Sequence, residues 1–142
     1  MEQRITMTTL AVADLAETRR FFEEGLGGRP AVGGNEHVAF YQLPGAILGL
    51  YDRAHLEKDL GRSLPKETLG GMTLAWNGRS EADVDEVYEQ AVKAGAGPLT
   101  RPEKVFWGGY SGYLEIPGGH LLEVAYNPFW TLKDDGTVEL PS

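Results

Sequence analysis

The 142-residue sequence predicts an α+β fold in which two βαβββ units curl around a shared pocket. Two observations carry the prediction. Strand and helix signals run in the order β-α-β-β-β and then repeat in the same order. Particular residues recur as well: Phe40, Pro44 and Gly45 return as Tyr113, Pro117 and Gly118, each displaced by 117 − 44 = 73 positions. Leu10-Ala11-Val12 corresponds to Leu74-Ala75-Trp76. With one residue inserted after the turn, Leu48-Gly49-Leu50 matches Leu122-Glu123-Val124. A curved sheet of this size cannot cover its own concave face, so pairing two of them encloses a cavity.

Residues 5–12 are rich in β-branched side chains and read as the first strand. Asp14 can cap the helix that follows, Glu17 stands three residues on, and Gly27 offers a left-handed stop. Leu15, Phe22 and Leu26 share one face of that helix, with Arg19, Arg20, Glu23 and Glu24 on the wet side. Three short strands are expected at 29–32, 37–43 and 46–51, separated by Gly33-Gly34-Asn35 and Pro44-Gly45. The stretch 54–69 is a charged connector with a short helix at most, Leu56 and Leu60 being its one apolar pair at helical spacing. A second repeat opens with a strand at 72–76. Ser80 then caps a helix whose Val84, Val87, Tyr88, Ala91 and Val92 form an apolar stripe, closed by Gly95. A strand at 97–101, a loop through Pro102, and a hairpin turning at Pro117-Gly118-Gly119 complete the unit. The polar tail 133–142 is expected to pack loosely.

Composition narrows the function. Thirteen basic residues against twenty-one acidic ones give a net charge of −8. That disfavours nucleic-acid and anionic-membrane partners, which need clustered Lys and Arg. With no cysteine, there is no disulfide framework, thiolate metal site or thiol nucleophile. Absence of a signal segment or a membrane-length apolar run points to a cytoplasmic protein.

The closing stretch from Phe106 to Pro128 is similar to the last hairpin of the vicinal-oxygen-chelate superfamily, which includes glyoxalase I, bleomycin-resistance proteins and extradiol dioxygenases. In that family an apolar-Asp-Pro-Asp-Gly turn leads into a strand bearing a metal-ligand Glu, and Glu123 falls at that place. Ile116 and Gly118 stand where the family usually has Asp. The resemblance reaches to about Asn127 and implies a single domain spanning 1–142. Its repeats cover about 4–52 and 70–127, joined by a connector at 53–69. It also implies four metal ligands, from the first and last strand of each repeat. Those positions fall on Met7, Gly71 (Met72 after a one-residue shift), Gly49 and Glu123. Glu123 alone keeps a ligand type, since a thioether and two glycines cannot hold a divalent ion against water. The expectation is therefore no metal and no cofactor.

Glu123 is the one candidate catalytic residue: a carboxylate in an apolar cavity can accept a proton or bind a cationic group. Alternatively it is a half-buried remnant bonded to a Tyr hydroxyl or a backbone amide. Met7, Gly49, Tyr51, Trp107, Tyr113 and Glu123 are the candidate ligand-binding residues. Alternation along the last strands would place Ile47, Gly49 and Tyr51, with Leu121, Glu123 and Ala125, around the chamber. His37, His55 and His120 read as solvated surface. Three function classes follow. The first is a metal-free protein of the bleomycin-resistance type, binding a small aromatic or cationic molecule. The second is a lyase, isomerase or dioxygenase with an unusual site, and the third is an interaction module with a vestigial pocket. A homodimer is expected, with Leu56, Leu60, Phe129 and Trp130 as contacts.

Overall fold

The computed structural model describes residues 7–61, 63–64 and 72–139. The elements are β1 (Met7–Val12), α1 (Leu15–Arg20) continued by a π-helical turn (Phe21–Gly25), β2 (Val38–Leu43), β3 (Ala46–Asp52) and α2 (Arg53–Leu60). Then follow β4 (Thr73–Asn77), α3 (Glu81–Lys93), β5 (Gly97–Lys104), β6 (Tyr110–Ile116), β7 (His120–Tyr126), β8 (Thr131–Leu132) and β9 (Val138–Glu139). One sheet has the order β1-β3-β2 and the other β4-β7-β6-β5. In each, the opening strand lies parallel to the closing one, β1 on β3 and β4 on β7, and the final hairpin is antiparallel. This is the expected α+β architecture, written twice.

Period-two alternation decides which face each strand buries. Leu10, Val12, Ala39, Tyr41, Leu48 and Leu50 turn toward Leu15 of α1 and make one core. Leu114, Ile116, Leu122 and Val124 meet Val84, Tyr88 and Ala91 of α3 and make the other. Phe21 belongs to the first unit's helix yet is buried in the second core. The π turn explains it. One extra residue widens the helix and rotates successive side chains, so Phe21 and Phe22 both reach apolar surroundings, edge to face with centroids 5.3 Å apart. Helical spacing alone selects Phe22 and misses Phe21.

Asp14 accepts from the Glu17 amide at 2.8 Å, and Ser80 caps α3 through the Asp83 amide at 3.1 Å. Glu23, expected in water, instead accepts from Arg19 Nε at 2.8 Å and from the Tyr41 hydroxyl at 2.9 Å. Of the strand expected at 29–32 a single bridge from Pro30 to Tyr41 forms, because proline has no N–H to give a ladder. β5, expected to stop at 101, runs on through Pro102, which an edge strand tolerates at the cost of shifted register. The connector contains α2, capped by Asp52 and ended by Gly61 in the left-handed region. The described part of the tail, up to residue 139, is tied down rather than loose. β8 and β9 pair, and Arg79 donates to the carbonyls of Leu132 and Lys133 at 2.8 Å each.

The two units meet where the last hairpin reaches the end of β1. His120, expected at the surface, is buried, and its Nε2 lies 2.8 Å from the Ala11 carbonyl, to which it donates. A Cβ on Gly118, whose φ is +99°, would press on Val12.

Candidate functional site

The strand faces opposite the helices carry the site. On the second sheet Glu123 is the centre of a row: Tyr113 pairs with it from β6 and Ala75 from β4. Ala75 is small, which leaves room above the carboxylate. The chain after β7 turns at Asn127, whose side-chain oxygen accepts from the Phe129 amide at 3.0 Å. That turn brings Phe129 and Trp130 back over the strand. The result is a cavity of about 490 Å³ lined by Ala75, Asn77, Trp107, Tyr113, Glu123, Ala125, Asn127, Phe129 and Trp130. Glu123 is its only charged lining residue among the described residues.

Two glycines hold the aromatic walls in place. A Cβ on Gly109 would overlap the six-membered ring of Trp107, so the indole lies directly across that glycine. A Cβ on Gly108 would come within 3.1 Å of Phe129 Cε2. Gly108 and Gly109 are seats for rings. The Tyr113 phenol is held above its ordinary pKa, first by burial and then by the Glu123 carboxylate across the strand pair. It therefore stays a neutral hydrogen-bond donor beside a carboxylate.

Trp107, Tyr113 and Glu123 thus share one cavity, and Met7, Gly49 and Tyr51 do not line it. Gly49 is the first sheet's counterpart of Glu123, paired with Phe40 as Glu123 is with Tyr113. A Cβ there would meet Thr9 Oγ1 at 3.2 Å and Met7 Sδ at 3.7 Å, so neighbouring side chains occupy that place. Tyr51 is engaged elsewhere, donating from its hydroxyl to Asp59 of α2 at 2.6 Å. Ala125 lines the cavity but Leu121 does not.

His37 and His55, far apart in sequence, stack with centroids 3.4 Å apart, each beside a carboxylate, Glu36 and Asp52. No sequence spacing signals that contact. A wider depression of about 720 Å³ over α3 is lined by Asp85, Glu86, Glu89 and Lys93, a solvated charged face without convergent chemistry.

Residues 4–124 match the family model of the Glyoxalase/Bleomycin resistance protein/Dioxygenase superfamily. The chain belongs to that superfamily. It is 35% identical to a glyoxalase-related enzyme from Fulvimarina pelagi, over 99% of both chains with a TM-score of 0.92. A glyoxalase/bleomycin resistance protein/dioxygenase from Nocardioides is 24% identical, covering 89% of this chain and 84% of that one, with a TM-score of 0.74. Lactoylglutathione lyase from Agrobacterium tumefaciens is 20% identical over 94% of this chain and all of that one, with a TM-score of 0.70. The last two likenesses show the fold alone. No curated protein sequence matches the chain.

Glyoxalase-superfamily membership raises the question of a metal, and the donor set does not fit one. Among the described residues no three His, Cys, Asp or Glu side chains converge on a point. Met7 offers a thioether, Gly49 no side chain, and Gly71 lies outside the described residues; Met72, the shifted alternative, is 47% exposed. Among the described residues Glu123 belongs to no group of three His, Cys, Asp or Glu donors, the set that a divalent ion bound by side chains requires.

Proposed function

We propose that this glyoxalase-superfamily protein binds a small aromatic molecule carrying a cationic or hydrogen-donating group, without the family's metal. The carrying observation is the single carboxylate, Glu123, set among Trp107, Tyr113, Phe129 and Trp130. Aromatic walls supply contact area and cation–π attraction, and one charge fixes orientation. Asn77 and Asn127 add amide donors and acceptors at the rim. A net charge of −8 favours a cation in approach. Of the ligand-binding residues read from sequence, Trp107, Tyr113 and Glu123 carry this reading, whereas Met7, Gly49 and Tyr51 lie on the first sheet's equivalent face and take no part in it. A thermal-shift screen tests it. Aromatic cations should raise the midpoint of the wild-type chain more than their neutral isosteres do, and lose that advantage on Glu123→Gln, because a ligand specific for the folded state stabilises it.

A second reading, catalysis of lyase, isomerase or dioxygenase type at a non-standard site, is favoured by the 35% identity to a protein described as a glyoxalase-related enzyme. In that case Glu123 would move a proton, with Tyr113 as its neutral neighbour. Metal content of chain purified without chelator separates the two: stoichiometric Mn, Fe, Ni or Zn contradicts the first reading. The proposal includes a cytoplasmic homodimer. Phe129 and Trp130, 64% and 42% exposed, and Leu56 would contribute contacts, while the Leu60 side chain lies outside the described residues. Light scattering that gives only the 15.5 kDa monomer at micromolar concentration would remove the dimer.

A further inference from the structure

A second cavity, also of about 490 Å³, lies at the seam between the units. Its wall takes Phe22 and Leu26 from the first helix and its following turn, Ile47 from β3, Leu74 from β4, Val87 from α3 and Leu122 from β7. Among the described residues the lining contains no charged one, in a chain that is 24% charged. Thr8 and Gln90 are the polar members. Two joints hold the units together around this place. At one, Gly25 lies so close to Ala94 that a Cβ would overlap it, and Gln90 Nε2 donates to the Gly25 carbonyl at 3.0 Å. At the other, His120 donates to Ala11. Edge strands β1 and β4 both line the cavity, through Thr8 and through Leu74 to Trp76, yet belong to separate sheets with no ladder between them among the described residues.

We propose that this seam is a binding site for an uncharged molecule with a medium-length alkyl chain, distinct from the Glu123 cavity and independent of the reading given for it. Its volume lies in the range of roughly 300–1,000 Å³ in which small-molecule pockets fall. An apolar wall without charge rejects a charged occupant, because nothing repays the lost hydration. The Gln90 side-chain oxygen has no partner among the described residues and can accept from a hydroxyl at the chain's end. A macromolecular partner fits worse. Among the described residues Leu43 and Trp76, 42% and 39% exposed, are the only exposed large hydrophobics in the lining, well short of the roughly 800 Å² per partner of a stable interface.

Trp76 makes the site readable. The chain has three tryptophans, so Trp107→Phe with Trp130→Phe leaves Trp76 as the sole indole. Titration of that full-length chain with 1-decanol should shift Trp76 emission to the blue and saturate at one molecule per chain. Decanoate and decyltrimethylammonium should bind on the order of a hundredfold more weakly, since each would bring an unpaired charge into the cavity. Ala46→Phe and, separately, Val87→Phe should abolish the shift by filling the space, with folding checked by circular dichroism. Glu123→Gln should leave it unchanged, which separates failure here from failure of the Glu123 reading. The proposal is overturned by an unsaturable response, by equal binding of the charged analogues, or by a shift that survives a folded filling variant. Trp76 emission that varies with protein concentration alongside a dimer mass would also overturn it, assigning the seam to a second copy of the chain. Should both filling variants misfold, the charged analogues decide on the native cavity.

Discussion

The first and second units share a topology and differ in chemistry. β3 lies parallel to β1 as β7 does to β4, and the residue facing Phe40 in one sheet stands where the residue facing Tyr113 stands in the other. That residue is Gly49 in the first unit and Glu123 in the second. The first unit fills the position with Thr9, Met7 and Phe40. The second leaves it open beneath Trp107 and Phe129 and adds a turn at Asn127 to wall it in. Sheet pairing is decided by the backbone ladder and the buried face, so it survives while the opposite face changes freely.

The strongest challenge to this pairing of unlike halves is a test of whether they fold as one. Phe21 reaches from the first helix into the second core, and His120 ties the second hairpin to β1. Leu50→Ala and Leu114→Ala, both at fully buried positions, should each cost about 2–5 kcal/mol. Each should move one shared thermal transition. Two separable transitions in calorimetry would show units that are stable independently. His120→Leu should cost less, about 1–3 kcal/mol, by leaving the Ala11 carbonyl without its partner, and denaturant midpoints would register it.

A third comparison sets the glycines against each other. Gly109→Ala drives the Trp107 ring off its seat and should weaken an aromatic ligand about tenfold, roughly 1.4 kcal/mol in a binding isotherm. Gly49→Ala meets Thr9 Oγ1 at 3.2 Å, so the Thr9 side chain must give by a few tenths of an ångström, and affinity should be unchanged. Equal losses in the two variants would mean that both faces contribute to one site.

The smallest effect expected is on acid stability. Hydrogen bonds from the His55 ring, and then from its backbone amide, hold the Asp52 carboxyl below the ordinary aspartate value. A depressed folded pKa means that the stabilisation is present above about pH 4, where unfolded aspartate ionises, and is lost as pH falls through the lower folded value. At the head of α3, the Arg79 amide followed by the Ser80 hydroxyl lowers Asp83 in the same sense. α2, with eight residues against thirteen in α3, should lose helicity first in an acid titration followed by circular dichroism or amide exchange.

Much of this architecture was legible locally. The stripe Val84, Val87, Tyr88, Ala91 and Val92, the Ser80 cap and the Pro117-Gly118-Gly119 turn depend on neighbours in sequence, and a periodicity or a turn residue reports them directly. The misread elements depend on distant partners. His120 is buried because of a carbonyl 109 positions away, and the tail is held by Arg79 more than 50 positions upstream. His37 and His55 stack because the end of β3 meets the residue before β2, the Asp52 amide donating to the His37 carbonyl at 2.8 Å. Phe21 is hidden from periodicity by the π turn, and Pro102 is tolerated because β5 is an edge. In the site, the placing of Glu123 opposite Tyr113 followed from strand register. The seating of Trp107 and Phe129 on Gly109 and Gly108 required the third dimension, since glycine pairs read equally well as loop flexibility.

The central claim, that binding resides in the second unit's carboxylate and rings, is tested most directly by one pair of isotherms. Benzyltrimethylammonium and its neutral isostere neopentylbenzene, titrated by calorimetry into wild-type chain and Glu123→Gln, isolate the charge from the shape. The account predicts that wild type prefers the cation by at least about tenfold, or 1.4 kcal/mol, and that Glu123→Gln loses that preference while still binding the neutral isostere. A cation preference that persists undiminished in Glu123→Gln would contradict it.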